Sequence, residues 1–188
     1  MEIRIKKAKI SKGGCVEVTY TDEIGNEIAM KGKNKCHNDL RFAFAAMVPY
    51  FADLTEQKEA DRIDWDNLEG TDTVDLLRRL DVSQISIGGD VNNRIVTLSG
   101  KRTLYTSKVL SLNAPGVEMD SEAFEWPHID EFDLALENLL FEVKEYVVNN
   151  KWEIEQKSLF DGDPDDPFAN ATPTDDVPPI EQPAENVA

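Results

Sequence analysis

The chain has 188 residues, 40% of them hydrophobic and 30% charged, with a formal net charge of −17. That length and apolar content allow one well-buried core, and no apolar run approaches the ~18–20 residues that a membrane-crossing helix needs. The segment Met1 to Lys7 alternates charge with apolar side chains and lacks the apolar stretch of a secretory leader. Two cysteines, Cys15 and Cys36, are too few for a disulfide framework, so a reducing, cytoplasmic compartment is the expectation.

In chain order, Glu2–Ile10 reads as a first strand, with Ile3, Ile5, Ala8 and Ile10 on one side and Arg4, Lys6 and Lys7 on the other. A turn at Ser11–Gly14 leads to a second strand, Cys15–Thr21, alternating through Val16, Val18 and Tyr20. A Gly-Asn turn then leads to a third strand, Glu27–Lys31. From Asn38, read as a cap, helical spacing of Leu40, Phe44, Met47 and Phe51 predicts a helix to about Leu54, kinked or split at Pro49. Thr73–Leu80 predicts a short helix. Gln84–Ile87, Arg94–Ser99 and Thr103–Leu112 predict three more strands, with loops at Gly88–Asn93 and at Gly100-Lys101. From Pro127 to about Asn150, an apolar stripe of Ile129, Phe132, Leu136, Leu139, Leu140, Val143 and Val147 predicts a long amphipathic helix packed on a sheet. Residues 158–188 hold six of the nine prolines, eight acids and no basic residue, a composition that cannot bury enough apolar surface to offset its ordering entropy. The expected organisation is a single α+β domain over residues 1–157 and a disordered acidic tail over 158–188.

Charge follows these elements. Residues 1–36 hold eight Lys and Arg against five Asp and Glu, and residues 94–117 hold four basic residues and no acid. Residues 118–157 hold twelve acids against three basic residues. Positive charge therefore lies on predicted strands, and negative charge on the long helix and the tail.

Reactive groups do not form a recognisable set. Cys36 and His37 are adjacent rather than spaced as zinc ligands, and Cys15 and His128 lie far apart in sequence. No Gly-x-Ser-x-Gly elbow is present, and Gly88-Gly89 lacks the Gly-Lys-Ser/Thr of a phosphate loop. Asp161, Asp163, Asp165 and Asp166 do not make a calcium loop, because Pro164 and Pro167 interrupt them and no Glu closes the loop. No enzyme activity and no cofactor or metal is expected. The remaining candidate surface is basic: Lys6, Lys9, Lys31, Lys33, Arg94, Lys101, Arg102 and Lys108 for phosphates, with Tyr20 and Tyr105 as rings for stacking bases.

Three strands, a helical segment, further strands and a helix form an order that resembles the OB-fold, a small barrel. The fold expected is therefore α+β: an antiparallel sheet or OB-like barrel of about six strands, with a helical insertion and a long C-terminal amphipathic helix. The segment Asp161-Gly-Asp-Pro-Asp-Asp-Pro-Phe168 is similar to the acidic, Phe-ended tails of bacterial and phage single-stranded DNA-binding proteins. In this chain Phe168 is followed by twenty further residues. The resemblance implies a non-enzymatic accessory protein of replication or recombination that binds single-stranded DNA. Its tail would recruit partner proteins through Asp161, Asp163, Asp165, Asp166 and Phe168, or compete with DNA for the basic strands. The alternative expectation is an acidic interaction protein, an inhibitor or DNA mimic, that occupies a basic site on another protein through the acids of 118–157.

Overall fold

Val16, Val18 and Tyr20 recur at every second position, with Glu17 and Thr19 between them, a period that buries only one side of an extended strand. In the computed structural model, which describes residues 3–89, 93–119 and 125–152, this segment is strand β2 (Cys15–Thr21), between β1 (Arg4–Ile10) and β3 (Glu27–Lys35). Strands β4 (Leu80–Gly89), β5 (Arg94–Thr103) and β6 (Val109–Asn113) follow the helical segment, and the two-residue β7 (Val117–Glu118) pairs with β5 beyond the end of β6. Every pairing is antiparallel, and the order across the sheet is β3-β2-β1-β4-β5-β6.

The sheet is open. Among the described residues β3 and β6 are its two edges and do not pair with each other, so the OB-like barrel does not form. The physical reason lies in the helices: α1 (Asn38–Ala45), α2 (Val48–Leu54) and α4 (Ile129–Val148) cover the face that a closed barrel would turn inward. Phe132, Leu136, Leu139 and Val143 of α4 have no exposed surface and meet Ile5, Ala8, Val18, Ile85, Val96 and Leu98 in one core. Pro49 sits in the first turn of α2, which is where the chain breaks what would otherwise be one helix.

Four predicted boundaries are corrected. His37, not Asn38, caps α1, its Nδ1 accepting from the Asp39 amide at 3.3 Å. The short helix α3 runs Thr71–Leu77, while Leu80 already opens β4, where it and Val82 join the core. Gly100-Lys101 is not a loop but part of a longer β5, and the turn lies at Leu104–Lys108. The glycine serves close approach: a Cβ at Gly100 would stand 2.1 Å from the Asp81 carbonyl and 3.0 Å from the Phe51 ring.

The end of α4 is tied to β3. Tyr146, 1% exposed, donates its hydroxyl to the Asn34 carbonyl at 2.8 Å and lies against Gly32, where any Cβ would collide with the ring. Lys151 bridges Asp39 at 2.6 Å and Glu142 at 2.8 Å, which raises the lysine's pKa, and Trp152 pairs with Cys36. A second cluster joins α2 to the start of α4: Trp126 Nε1 donates to Asp53 at 2.7 Å, Tyr50 meets Phe132 edge-on, and Trp65 stacks on His128 at 3.5 Å.

Gly100→Ala is expected to destabilise the fold by about 1–3 kcal/mol, because backbone rather than a flexible side chain blocks the new methyl. Urea unfolding followed by circular dichroism measures it. Gly25→Ala sets the cost of strained backbone alone, since Gly25 has φ 89° and nothing within 4 Å of the place a Cβ would take.

Candidate nucleic-acid interface

With the helices on one face, the alternate residues of every strand are left on the other. The pairing registers place Lys31, Glu17, Lys9, Gln84, Ser99 and Asn113 in one row across six strands. A neighbouring row holds Ala29, Thr19, Lys7, Ser86 and Thr97. Lys33 follows Lys31 by two positions and shares its side, since Gly32 between them faces Tyr146. This face, helix-free among the described residues, is thus built of lysines set among hydroxyls, amides and Glu17.

Of the ten predicted binding residues, the fold brings five together there: Lys6, Lys9, Lys31, Lys33 and Lys101. Their acidic neighbours are Glu27 beside Lys6, Glu17 at 3.6 Å from Lys31, and Asp81 at 2.8 Å from Lys101. The other five lie elsewhere. Arg94 turns to the helix side and reaches Asp133 of α4 at 3.5 Å. Arg102 also turns to that side, giving two guanidinium nitrogens to Glu59 at 2.6 and 2.8 Å and one of them to Gln57 at 2.7 Å. Tyr20 is a core residue, 8% exposed. Tyr105 and Lys108 sit in the β5–β6 turn, where the Arg79 guanidinium lies 3.6 Å over the Tyr105 ring. No described aromatic ring stands on the helix-free face, so the stacking platform expected of Tyr20 and Tyr105 is not there. The tail residues Asp161, Asp163, Asp165, Asp166 and Phe168 lie outside the described residues.

The face deepens into a cleft at one end. β1 pairs with β4 only over Lys7–Lys9 against Gln84–Ser86; beyond Lys9 the two strands part. Between them opens a cleft of about 1100 Å³ whose charged wall is Lys9, Lys12, Lys35, Arg41 and Lys101 against Glu17 and Asp81. Its floor is apolar, formed by Ile10, Phe44, Val48, Leu80 and Val82. Gly14, at φ 79°, lets the Arg41 guanidinium lie against the β1–β2 turn, with a nitrogen 2.9 Å from where a Cβ would stand. Cys15, next in sequence, is half-buried and points its Sγ toward the Lys33 carbonyl at 3.4 Å, whereas Cys36 is fully buried.

Sequence reasoning passed over Lys12, Lys35 and Arg41. Lys12 lies in a segment read only as a turn, Lys35 lies beyond the predicted end of the third strand, and Arg41 belongs to a segment with no net charge. The available signal was the Gly13-Gly14 pair, which marks a backbone that something approaches closely. A smaller cavity of about 510 Å³ lies at the opposite end, between α4 and the sheet, with Ile3, Ile87, Leu136 and Leu140 on its walls.

Among the described residues, no three His, Cys, Asp or Glu side chains converge as a metal site, and no helix is long and apolar enough to cross a membrane. The chain matches no family model, no curated protein and no solved structure.

The Arg102 hydrogen bonds hold the Glu59 carboxyl below its ordinary value of 4.5. The unfolded chain therefore takes up the proton first as pH falls, so the pair's contribution is complete at neutral pH and declines below about pH 5. Glu59→Gln is expected to cost about 1–2 kcal/mol at pH 7 and to differ less from the native chain at pH 3, as read by chemical unfolding at both pH values.

Proposed function

We propose that this protein is a non-enzymatic binder of single-stranded nucleic acid, an accessory factor of DNA replication or recombination, that holds the phosphate backbone along the helix-free face and in its cleft. The observation that carries this reading is the gathering of Lys9, Lys12, Lys35, Arg41 and Lys101 around one cleft in a chain of net charge −17. In so acidic a chain, a local excess of cations opposes the overall field and gives an anionic polymer one place to settle. With no described ring for stacking on that face, recognition runs through phosphates, so binding is insensitive to base sequence and steeply dependent on salt. The eight acids of residues 158–188 are assigned the role of a competitor for the same cations and a recruiting arm for partner proteins.

A second reading has its own observation. On α4, Leu134 is 71% and Phe141 55% exposed, two turns apart, with Asp130, Glu131 and Glu137 close to them in sequence. An apolar pair set among acids suits a basic, partly apolar site on another protein, which is the inhibitor or mimic alternative.

Fluorescence anisotropy with a short labelled single-stranded oligonucleotide, across a salt series, separates the two. The full chain is expected to bind at low salt, and a chain ending at Lys157 to bind more tightly. Lys9→Ala with Arg41→Ala is expected to weaken binding by roughly tenfold or more and to lower the salt slope by about 1–2. Lys144→Ala on α4 is expected to leave it unchanged. No binding by either chain at low salt refutes the nucleic-acid reading and leaves the acidic interaction surface as the better one.

A further inference from the structure

The two edges of the sheet are built differently. β3 carries Lys31, Lys33 and Lys35 along its length, all exposed, the usual protection against strand-to-strand association. β6 has none: Val109-Leu110-Ser111-Leu112-Asn113 contains no charge and no proline, yet Val109 is 59% and Leu110 48% exposed.

The hydrogen bonds around β6 show which backbone groups face outward. Leu104 N–H donates to the Lys108 carbonyl across the turn, and Ala114 N–H donates to the Leu98 carbonyl at the other end. In an antiparallel ladder, bonded and non-bonded pairs alternate. Leu110 and Leu112 therefore bond inward to β5, opposite Arg102 and Gly100. The N–H and C=O groups of Val109, Ser111 and Asn113 are directed to the free edge.

The geometry points to a second copy of this chain on that edge, with β6 pairing antiparallel to its twin about a two-fold axis at Ser111. The strand is complementary to itself in that register. Ser111 opposes the partner copy's equivalent serine, and Val109 opposes the equivalent of Asn113, making about six backbone hydrogen bonds from groups that no strand among the described residues pairs with. Leu110 opposes the equivalent of Leu112 on the helix side, so the exposed leucine is covered by an apolar neighbour. The lysines of β3 exclude the other edge, so the association closes at two copies rather than running on as a fibre. Such an axis stands perpendicular to the sheet, and both helix-free faces then point the same way. Val109 and Ser111 also line the cleft, so pairing sets two clefts on either side of the axis. This inference goes beyond the nucleic-acid reading and stands without it.

Sedimentation velocity of the full chain, without nucleic acid and across the micromolar range, is expected to give a dimer. Ser111→Pro removes one outward N–H and leaves the inward ladder to β5 intact; it is expected to give a monomer with unchanged circular dichroism. Ser111→Cys is expected to give a dimer that a short bis-maleimide cross-linker traps, because directly opposed bonded residues have Cα atoms about 5.5 Å apart. The native chain, with Cys15 and Cys36, sets the background. A native chain that sediments as a monomer throughout, or a dimer that survives Ser111→Pro, overturns the proposal.

Discussion

The packing of α4 across the sheet is the contact on which the rest depends. Its apolar stripe must be covered, and the sheet face is the surface long enough to cover it. Phe132, Leu136, Leu139 and Val143 are completely removed from water, and Tyr146 extends the stripe onto β3 with a hydroxyl bonded to a backbone carbonyl. Gly32 is what allows the ring so close. Once the helices occupy that face, the strands must present their other side chains to water, and this division makes a lysine-rich surface out of residues that are scattered in sequence.

Magnitudes decide which basic residues belong to the fold and which are available to a ligand. Arg102 and Glu59 are 18% and 19% exposed and meet through two short charge-assisted bonds, so displacing either leaves a half-buried charge without its partner. Lys31 and Glu17 are 83% and 44% exposed at 3.6 Å, a contact that water and salt largely screen. A phosphate can compete for Lys31 far more easily than for Arg102. The same comparison applies to the shape of the cleft. A register shift falls between Val82 and Gln84, on β4 just where that strand parts from β1. Bulges of this kind sharpen twist and turn strands away from their neighbours, so the opening is written into backbone geometry rather than left by a missing side chain.

Much of the architecture was legible in the sequence because period and burial agree. The alternation in β1 and β2, the break at Pro49 and the stripe of α4 each follow from one local rule. Glycine and register were what local rules misread. Gly100 looks like a turn until Asp81 and Phe51 are brought against it, and that proximity exists only in the folded chain. The candidate surface was half legible for the same reason. Positive charge on and beside the predicted strands singled out Lys6, Lys9, Lys31, Lys33 and Lys101. It could not tell that Arg94 and Arg102 lie on the helix side opposite Asp133 and Glu59, partners far from them in sequence. Nor could it tell that Arg41 of α1 would reach over a glycine turn to the cleft.

The two thiols differ in a way that has a chemical consequence. Cys15 lies half-buried beside the turn that lines the cleft, while Cys36 is sealed beneath the bridge to Trp152. An alkylating reagent meets the first in the native protein and the second only when the seam between β3 and the end of α4 comes apart. The molecule therefore carries two reporters in its own sequence: one that labels in the folded state beside the β1–β2 turn, and one whose labelling rate counts the openings of the fold.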